Sequence, residues 1–267
     1  MKTKSQCLNL KRIFCGLITG FIFCGVLSVY ISANSSSIKN ISLPNLFVQK
    51  YWNNNFKGLF AVNATAAKSE KKNIALTFDD GPNGKYTEQV LDILKKNNIK
   101  VTFFVCGDST ALDPDLVKEE YDMGNEIGNH TFSHPNLAKL SDTEVKKELT
   151  KANDEIYKAI NKYPVLFRPP YGSSSARVNQ ILSQLGFKKI TWDYMVDDYD
   201  IGKTTADKIA SQVISHAHSG AIIDMHDGGG NREKTIAALP IIIAELKKQN
   251  YDFVTVSAIV KIDPYRK

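Results

Sequence analysis

From Asn73 onward the chain alternates short β-branched and aromatic runs with amphipathic stretches, and this alternation limits its folding options more than any other feature. The runs cover residues 73–79, 100–107, 125–130, 165–170, 188–194, 220–226 and 252–257. Helical patterns lie between them. One opens at "SDTE", where Ser141 and Glu144 make a capping box, with Val145, Leu149, Ala152, Ile156 and Ala159 along one face. Another covers Glu233 to Lys248 and turns Ile236, Leu239, Ile242, Ile243 and Leu246 inward. Strands separated by helices pair in parallel, because the crossover returns the chain to the same end of the sheet. The expected fold is therefore α/β: seven parallel strands closed or nearly closed into a barrel. With 43% hydrophobic residues in 267, the chain can fill such a core.

In folds of this kind chemistry gathers at the carboxyl ends of the strands. The residues predicted there are Asp79 and Asp80, Asn129 and His130, Arg168, Asp197 and Asp198, and His226 and Asp227. "TFDDG" ends a buried run in two adjacent carboxylates. Such a pair is costly to bury unless something positive sits beside it. A helix-capping role would explain an isolated "DDG", but "NHTFSHP" adds His130 and His134 at another strand end. Their spacing of four predicts both imidazoles on one face of a single helical turn. Two imidazoles and one carboxylate hold a catalytic zinc-type ion and leave one tetrahedral position open. Asp80 is then the ligand, and Asp79 stays free as a base.

The net charge of +6 does not belong to the folded part. Residues 1–72 hold ten of the 34 Lys and Arg and one of the 28 Asp and Glu, which leaves 24 basic against 27 acidic residues beyond. A nucleic-acid partner loses its main support. Lys2, Lys4, Lys11 and Arg12 precede a charge-free run from Ile13 to Ile31, long enough to span a bilayer, with the positive end held in the cytoplasm. The expected organisation is a basic cytoplasmic segment at 1–12, a signal-anchor helix at 13–31, an extracellular Ser- and Asn-rich tether at 32–72 and a catalytic domain at 73–262. The protein is then a single-pass membrane protein with its catalytic domain outside the cell. "ISA", ending at Ala33, is a poor cleavage site, and its use would make the protein secreted. Cys106 is the one cysteine after Cys24, so neither a disulfide nor a Cys-based metal site is expected beyond the apolar run.

Taken in order, "TFDDG", "HTFSH", "RPPYG" and "MHDG" resemble the polysaccharide deacetylase family, the NodB-homology carbohydrate esterases of family four. The resemblance covers about residues 73–260. It implies a distorted β/α barrel and metal-dependent removal of N-acetyl groups from the amino sugars of a polymer. Position by position it makes Asp79 the base, Asp80, His130 and His134 the metal triad, and Arg168 the residue that holds the base. It gives the Tyr171 backbone N–H to the oxyanion, makes His226 the general acid and makes Asp198 the carboxylate that orients it. One divalent ion is implied: zinc, with cobalt and nickel acceptable to the same ligands. The implied substrate is an N-acetylated glycan, and a location outside the cell favours peptidoglycan N-acetylglucosamine.

Two positions depart from the family pattern. Tyr199 stands where the family has Trp, which keeps an aromatic wall. Asp224 stands where an apolar residue lines the pocket for the acetyl methyl, and a carboxylate there suits a methyl poorly. It could crowd that pocket, bind another group or point away. Hydrolysis of another acyl group, such as an O-acetyl ester, is the alternative that Asp224 supports, and a non-catalytic glycan-binding relic is a third. Asp197 and Asp227 are expected in supporting or capping positions, His216 and His218 as structural residues, and Cys106 as a buried apolar one. "DGGGNR", from Asp227 to Arg232, lacks the Lys-Ser/Thr ending of a phosphate loop, so no nucleotide cofactor is expected. It reads as a flexible rim loop.

Overall fold

The computed structural model describes residues 71–199 and 202–266. The predicted membrane span at 13–31 and nearly all of the tether lie outside these residues. Among the described residues no helix is long and apolar enough to cross a membrane.

Strand β1, Lys72–Asp79, is the spine, and every residue from Ile74 to Asp79 is buried. A strand covered on both faces reads as a continuous apolar run, which "IALTF" is. The other strands are β2 (Thr102–Val105), β3 (Glu126–Asn129), β4 (Leu166–Phe167), β5 (Lys188–Lys189), β6 (Tyr194–Met195), β7 (Ala221–His226) and β8 (Tyr251–Phe253). They pair in parallel in the order β5-β4-β3-β2-β1-β7-β6, and β8 pairs with the first residues of β1. Phe78 and Phe103 stack within the core at a centroid distance of 5.5 Å.

The helices are α1 (Thr87–Asn97), α2 (Gly107–Leu112), α3 (Pro114–Asp122), α4 (Asp142–Ile160), α5 (Ala176–Gln184), α6 (Ala206–His216), α7 (Glu233–Lys248) and α8 (Val256–Val260). The predicted capping box on α4 forms in both directions, and Val145, Leu149, Ala152 and Ile156 are buried. On α7, Leu239, Ile242, Ile243 and Leu246 are buried as expected.

The expectation of seven parallel strands closed or nearly closed into a barrel is met by a parallel half-barrel, with one predicted strand placed differently. The run at 188–194 is not one strand. It splits into β5 and β6, which lie at opposite edges of the sheet, and no ladder joins those edges among the described residues. The sheet is a half-barrel that the chain bridges with the four residues 190–193. The Ile190 N–H donates to Phe167 O on one edge at 2.8 Å, and the Asp193 N–H donates to Ile222 O on the other at 2.9 Å. A segment touching both edges carries strand-like residues throughout, so its sequence alone reads as one strand.

Candidate active site

The carboxyl ends of β1, β3 and β7 surround a cavity of about 730 Å³ lined by Asp79, Asp80, His130, His134, Asp224 and His226. Register brings the residues together. Asp79 pairs with His226 across β1 and β7, and Thr77 pairs with Asp224 one layer below.

Asp80 follows β1 with φ of 72°, a left-handed conformation that a non-glycine residue adopts at a cost. Its carboxylate faces two imidazoles, and it shares the first of them with Asp79, whose Oδ2 lies 3.7 Å from His130 Nε2. Asp80 Oδ1 lies 3.4 Å from His130 Nε2 and 3.2 Å from His134 Nε2. Burial opposes its ionisation, but the adjacent His130 and the charges of His226 and His134 hold its carboxyl well below the usual range. The pair of histidines does not sit on a helical turn as the spacing predicts. His130 follows β3, and the chain then loops through left-handed Thr131 (φ 71°) and His134 (φ 54°). Glu148 on α4 pins this loop, accepting from the N–H groups of Phe132 and Ser133 at 2.9 and 2.8 Å. The result is still convergent, with ring centroids 5.0 Å apart.

These three residues fit a metal ion. One ligand atom from each lies within 4.8 Å of the others. Asp80 Oδ1 is buried without a hydrogen-bond partner, an orphan that a cation would satisfy. His130 Nδ1 lies 2.8 Å from Arg168 O, so it carries the proton and leaves the Nε2 lone pair facing Asp80.

Arg168 is fully buried over the Phe104 ring, 4.2 Å from its centroid. Its Nη1 donates to Thr77 Oγ1 at 2.6 Å, Asp79 Oδ1 at 2.8 Å and Asp224 Oδ1 at 3.0 Å. The carboxylate at 224 is thus turned onto the arginine. Burial and the charge of Asp79 push its carboxyl up to about 7, against the pull of Arg168. On the opposite wall His226 Nδ1 lies 2.8 Å from Asp198 Oδ1, while the His226 N–H donates to Asp198 Oδ2 at 2.9 Å. Burial lowers the affinity of His226 for a proton, but the hydrogen bond and charge of Asp198, aided by Asp224 and Asp79, raise its pKa to about 9. Tyr171 (φ 58°) and Tyr199 are exposed at the rim, and Tyr171 meets the His134 ring edge-on at 4.7 Å.

Arg232 escaped the sequence reading. The stretch from Asp227 to Arg232 is not a loose rim loop, because Arg232 is buried and bonded to Gly228 O at 2.6 Å and Asp198 O at 3.0 Å. Its Nη2 lies 3.9 Å from Asp80 Oδ2, so it stands between the two aspartates of the cavity's opposite sides. A Cβ on Gly228 would fall 2.0 Å from Asp80 O, which explains why glycine occupies that position. Asp227 is buried and accepts from Thr87 Oγ1. Asp197 receives Gln212, His216 stacks on Tyr194, His218 is exposed and Cys106 is buried.

A parallel half-barrel with a metal-capable triad between an arginine-held aspartate and an aspartate-braced histidine points to a class of hydrolases, and comparison with known proteins gives the family. Residues 66–190 match the polysaccharide deacetylase family. A peptidoglycan-N-acetylglucosamine deacetylase of Bacillus cereus is 39% identical over 193 residues, spanning 72% of this chain and 90% of that protein. The peptidoglycan-N-acetylmuramic acid deacetylase PdaA of Bacillus subtilis is 37% identical over 187 residues, 69% of this chain and 70% of PdaA. The crystal structure of the Bc1960 peptidoglycan N-acetylglucosamine deacetylase superposes with a TM-score of 0.71 at 33% identity, covering 74% of this chain and 92% of that one. The chain belongs to the polysaccharide deacetylase family.

Proposed function

We propose that this protein removes the N-acetyl groups of peptidoglycan N-acetylglucosamine in a metal-dependent hydrolysis. The observation that carries the reading is a base and an acid on opposite sides of one triad: Asp79 held by Arg168, and His226 braced by Asp198. A bound divalent ion, zinc or else cobalt or nickel, would be held by Asp80, His130 and His134 and would supply Lewis-acid polarisation of the acyl carbonyl. Asp79 takes the proton of the attacking water, and Arg168 fixes the direction of its carboxylate. His226, protonated at neutral pH, delivers a proton to the departing nitrogen, which as an amide anion would otherwise be a very poor leaving group. The resemblance assigns the Tyr171 backbone N–H to the developing oxyanion.

The cavity wall favours glucosamine over muramic acid. Its charged lining includes Asp79, Asp80, Asp108 and Asp224, while Arg232 is buried and bonded inward. The lactyl carboxylate of muramic acid would meet these acids, while the cations of the lining, Arg232 and the His226 imidazolium, are already bonded to Asp198. The basic and apolar N-terminal segment supports anchoring to the membrane with the catalytic domain outside, where this polymer lies.

The test is amine release from purified peptidoglycan and from an N-acetylglucosamine tetramer, with chelator and after zinc is restored. Release that chelation stops and zinc restores is expected. No release from either substrate would refute the reading, and cleavage of acetyl esters alone would replace it with the ester alternative. Separating membrane and medium fractions of the producing cell tests the anchor.

A further inference from the structure

The sequence leaves open which residue faces the acyl group, since Asp224 occupies the position that the resemblance gives to an apolar one. Strand register decides what lies beneath the reacting atoms. Asp79 and His226 form the rim layer, and residues two places back on each strand share its face. On the His226 side of Asp79 the layer below is Thr77 on β1, Asp224 on β7 and Met195 on β6, the last paired directly with Asp224. A glycan chain stays at the open mouth, so an acyl carbonyl held between Asp79 and His226 directs its substituent down onto this layer.

Two of the three residues there are committed elsewhere. Thr77 is fully buried, donates to Ile223 O at 2.8 Å and accepts from Arg168. Asp224 is 1% exposed, with Oδ1 on Arg168. Met195 is 36% exposed and lines the cavity together with Trp192. The indole of Trp192 is held in place by its packing on Gly172, where a Cβ would come within 2.8 Å of Cη2. The outward neighbour on β6, Tyr194, stacks on His216 instead, at 3.6 Å.

We propose that Met195 is the acyl-specificity residue of this site, its thioether chain and the Trp192 indole forming the apolar wall that accepts an acetyl methyl and excludes longer N-acyl chains. The proposal rests on the hydrolase reading above. Asp224 is then the second counter-ion of Arg168 and not part of the acyl wall. An unbranched thioether fills such a space closely, and shortening it opens room for two or three more carbons.

The experiment compares wild type, Met195→Ala and Met195→Leu on glucosamine tetramers carrying N-acetyl, N-propionyl or N-butyryl groups. The ratio of kcat/KM for butyryl over acetyl should rise roughly 10-fold or more in Met195→Ala, the scale of pocket discrimination by a few methylenes. Met195→Leu, similar in volume, should keep the wild-type order. An unchanged ratio in Met195→Ala overturns the proposal. Ligand-observed NMR of acetate and butyrate binding separates this failure from that of the activity itself. If no tetramer is cleaved but Met195→Ala gains butyrate binding over wild type, the wall assignment stands and the hydrolase reading falls. If neither cleavage nor butyrate binding responds, both fall.

Discussion

Replacing Asp198 by Asn tests the acid half of the site, because the geometry leaves the substitution little choice. Asp198 Oδ2 receives two donors, the His226 N–H at 2.9 Å and Thr235 Oγ1 at 3.0 Å. The side-chain oxygen of an asparagine must stay there to satisfy both. Its NH2 group then faces His226 Nδ1, where Oδ1 now lies at 2.8 Å. A donor against Nδ1 requires a lone pair on that nitrogen, so the imidazole is held neutral. The charge that raises His226 to about 9 is lost as well, while the burial that lowers it remains.

The expected change follows from these opposing causes. The pKa of His226 should fall from about 9 toward or below its ordinary value of 6.5, which is about 3 kcal/mol of stabilisation withdrawn from the imidazolium. Near pH 7.5 the protonated fraction drops from nearly all to about a tenth or less, and the rate falls at least about 10-fold from this cause alone. The assay is kcat/KM against pH on the N-acetylglucosamine tetramer, because that parameter reports the free enzyme. A general acid must be protonated to act, so activity is lost as pH rises through its pKa, and the alkaline limb should move to lower pH in the variant. A cation in the triad lowers that limb in both proteins, and the difference between them is what Asp198 sets. A limb that stays in place while the rate falls uniformly would refute the acid assignment of His226.

Three further outcomes are expected. His134→Ala should lose stoichiometric metal, measured by elemental analysis, together with activity; a variant that keeps one equivalent of ion contradicts the triad. Asp79→Asn should keep the metal and lose roughly 100-fold or more in rate, the scale of a missing general base; loss of the ion as well would exchange the roles of Asp79 and Asp80. Asp227→Asn should change stability: burial raises Asp227 to about 7, so its stabilising effect is complete below the unfolded value near 3.8 and is lost as pH rises through 7. The stability of the variant should therefore gain on wild type between pH 4 and 7, by on the order of 3 kcal/mol, read as a rising difference in thermal midpoint, and parallel pH curves for the two proteins would contradict this.

What could be read in advance follows from how locally each feature is encoded. β1 and β7 are long and buried on both faces, and the α4 cap lies within four consecutive residues, so each is written in one stretch of sequence. The rule that polar residues gather at strand ends needed only the alternation of strands and helices, and it brought Asp79, Asp80, His130 and His226 to one cavity, while His134 was found by its spacing to His130. It could not give the path of the chain between His130 and His134, because the left-handed turns at Thr131 and His134 are held by Glu148 from another element. β5 and β6 have two residues each, too few for a period to show. The partner of Asp224 is equally non-local: Arg168 reaches it from β4 while bonding Asp79 and Thr77 on β1.

The three glycines at 228–230 show how such a non-local cause can mislead. Consecutive glycines before an arginine suggest freedom of the backbone. Here Gly228 is required because the chain packs directly on the carbonyl of Asp80, and Gly229 has φ of 67° with its Cα beside the Asp80 carboxylate, where a Cβ would meet Oδ2 at 2.3 Å. The close approach brings Arg232 inward until it bonds the backbone at Gly228 and Asp198. Two buried arginines then divide four acids at and behind the cavity wall between them. Arg168 holds Asp79 and Asp224, and Arg232 lies between Asp80 and Asp198, 3.9 and 3.8 Å from their carboxylates. These four carboxylates, crowded around one small cavity, would repel each other strongly without that division. Each arginine is held by the backbone or aromatic groups around it, so the acids keep distinct positions and can take the distinct roles of base, ligand and brace.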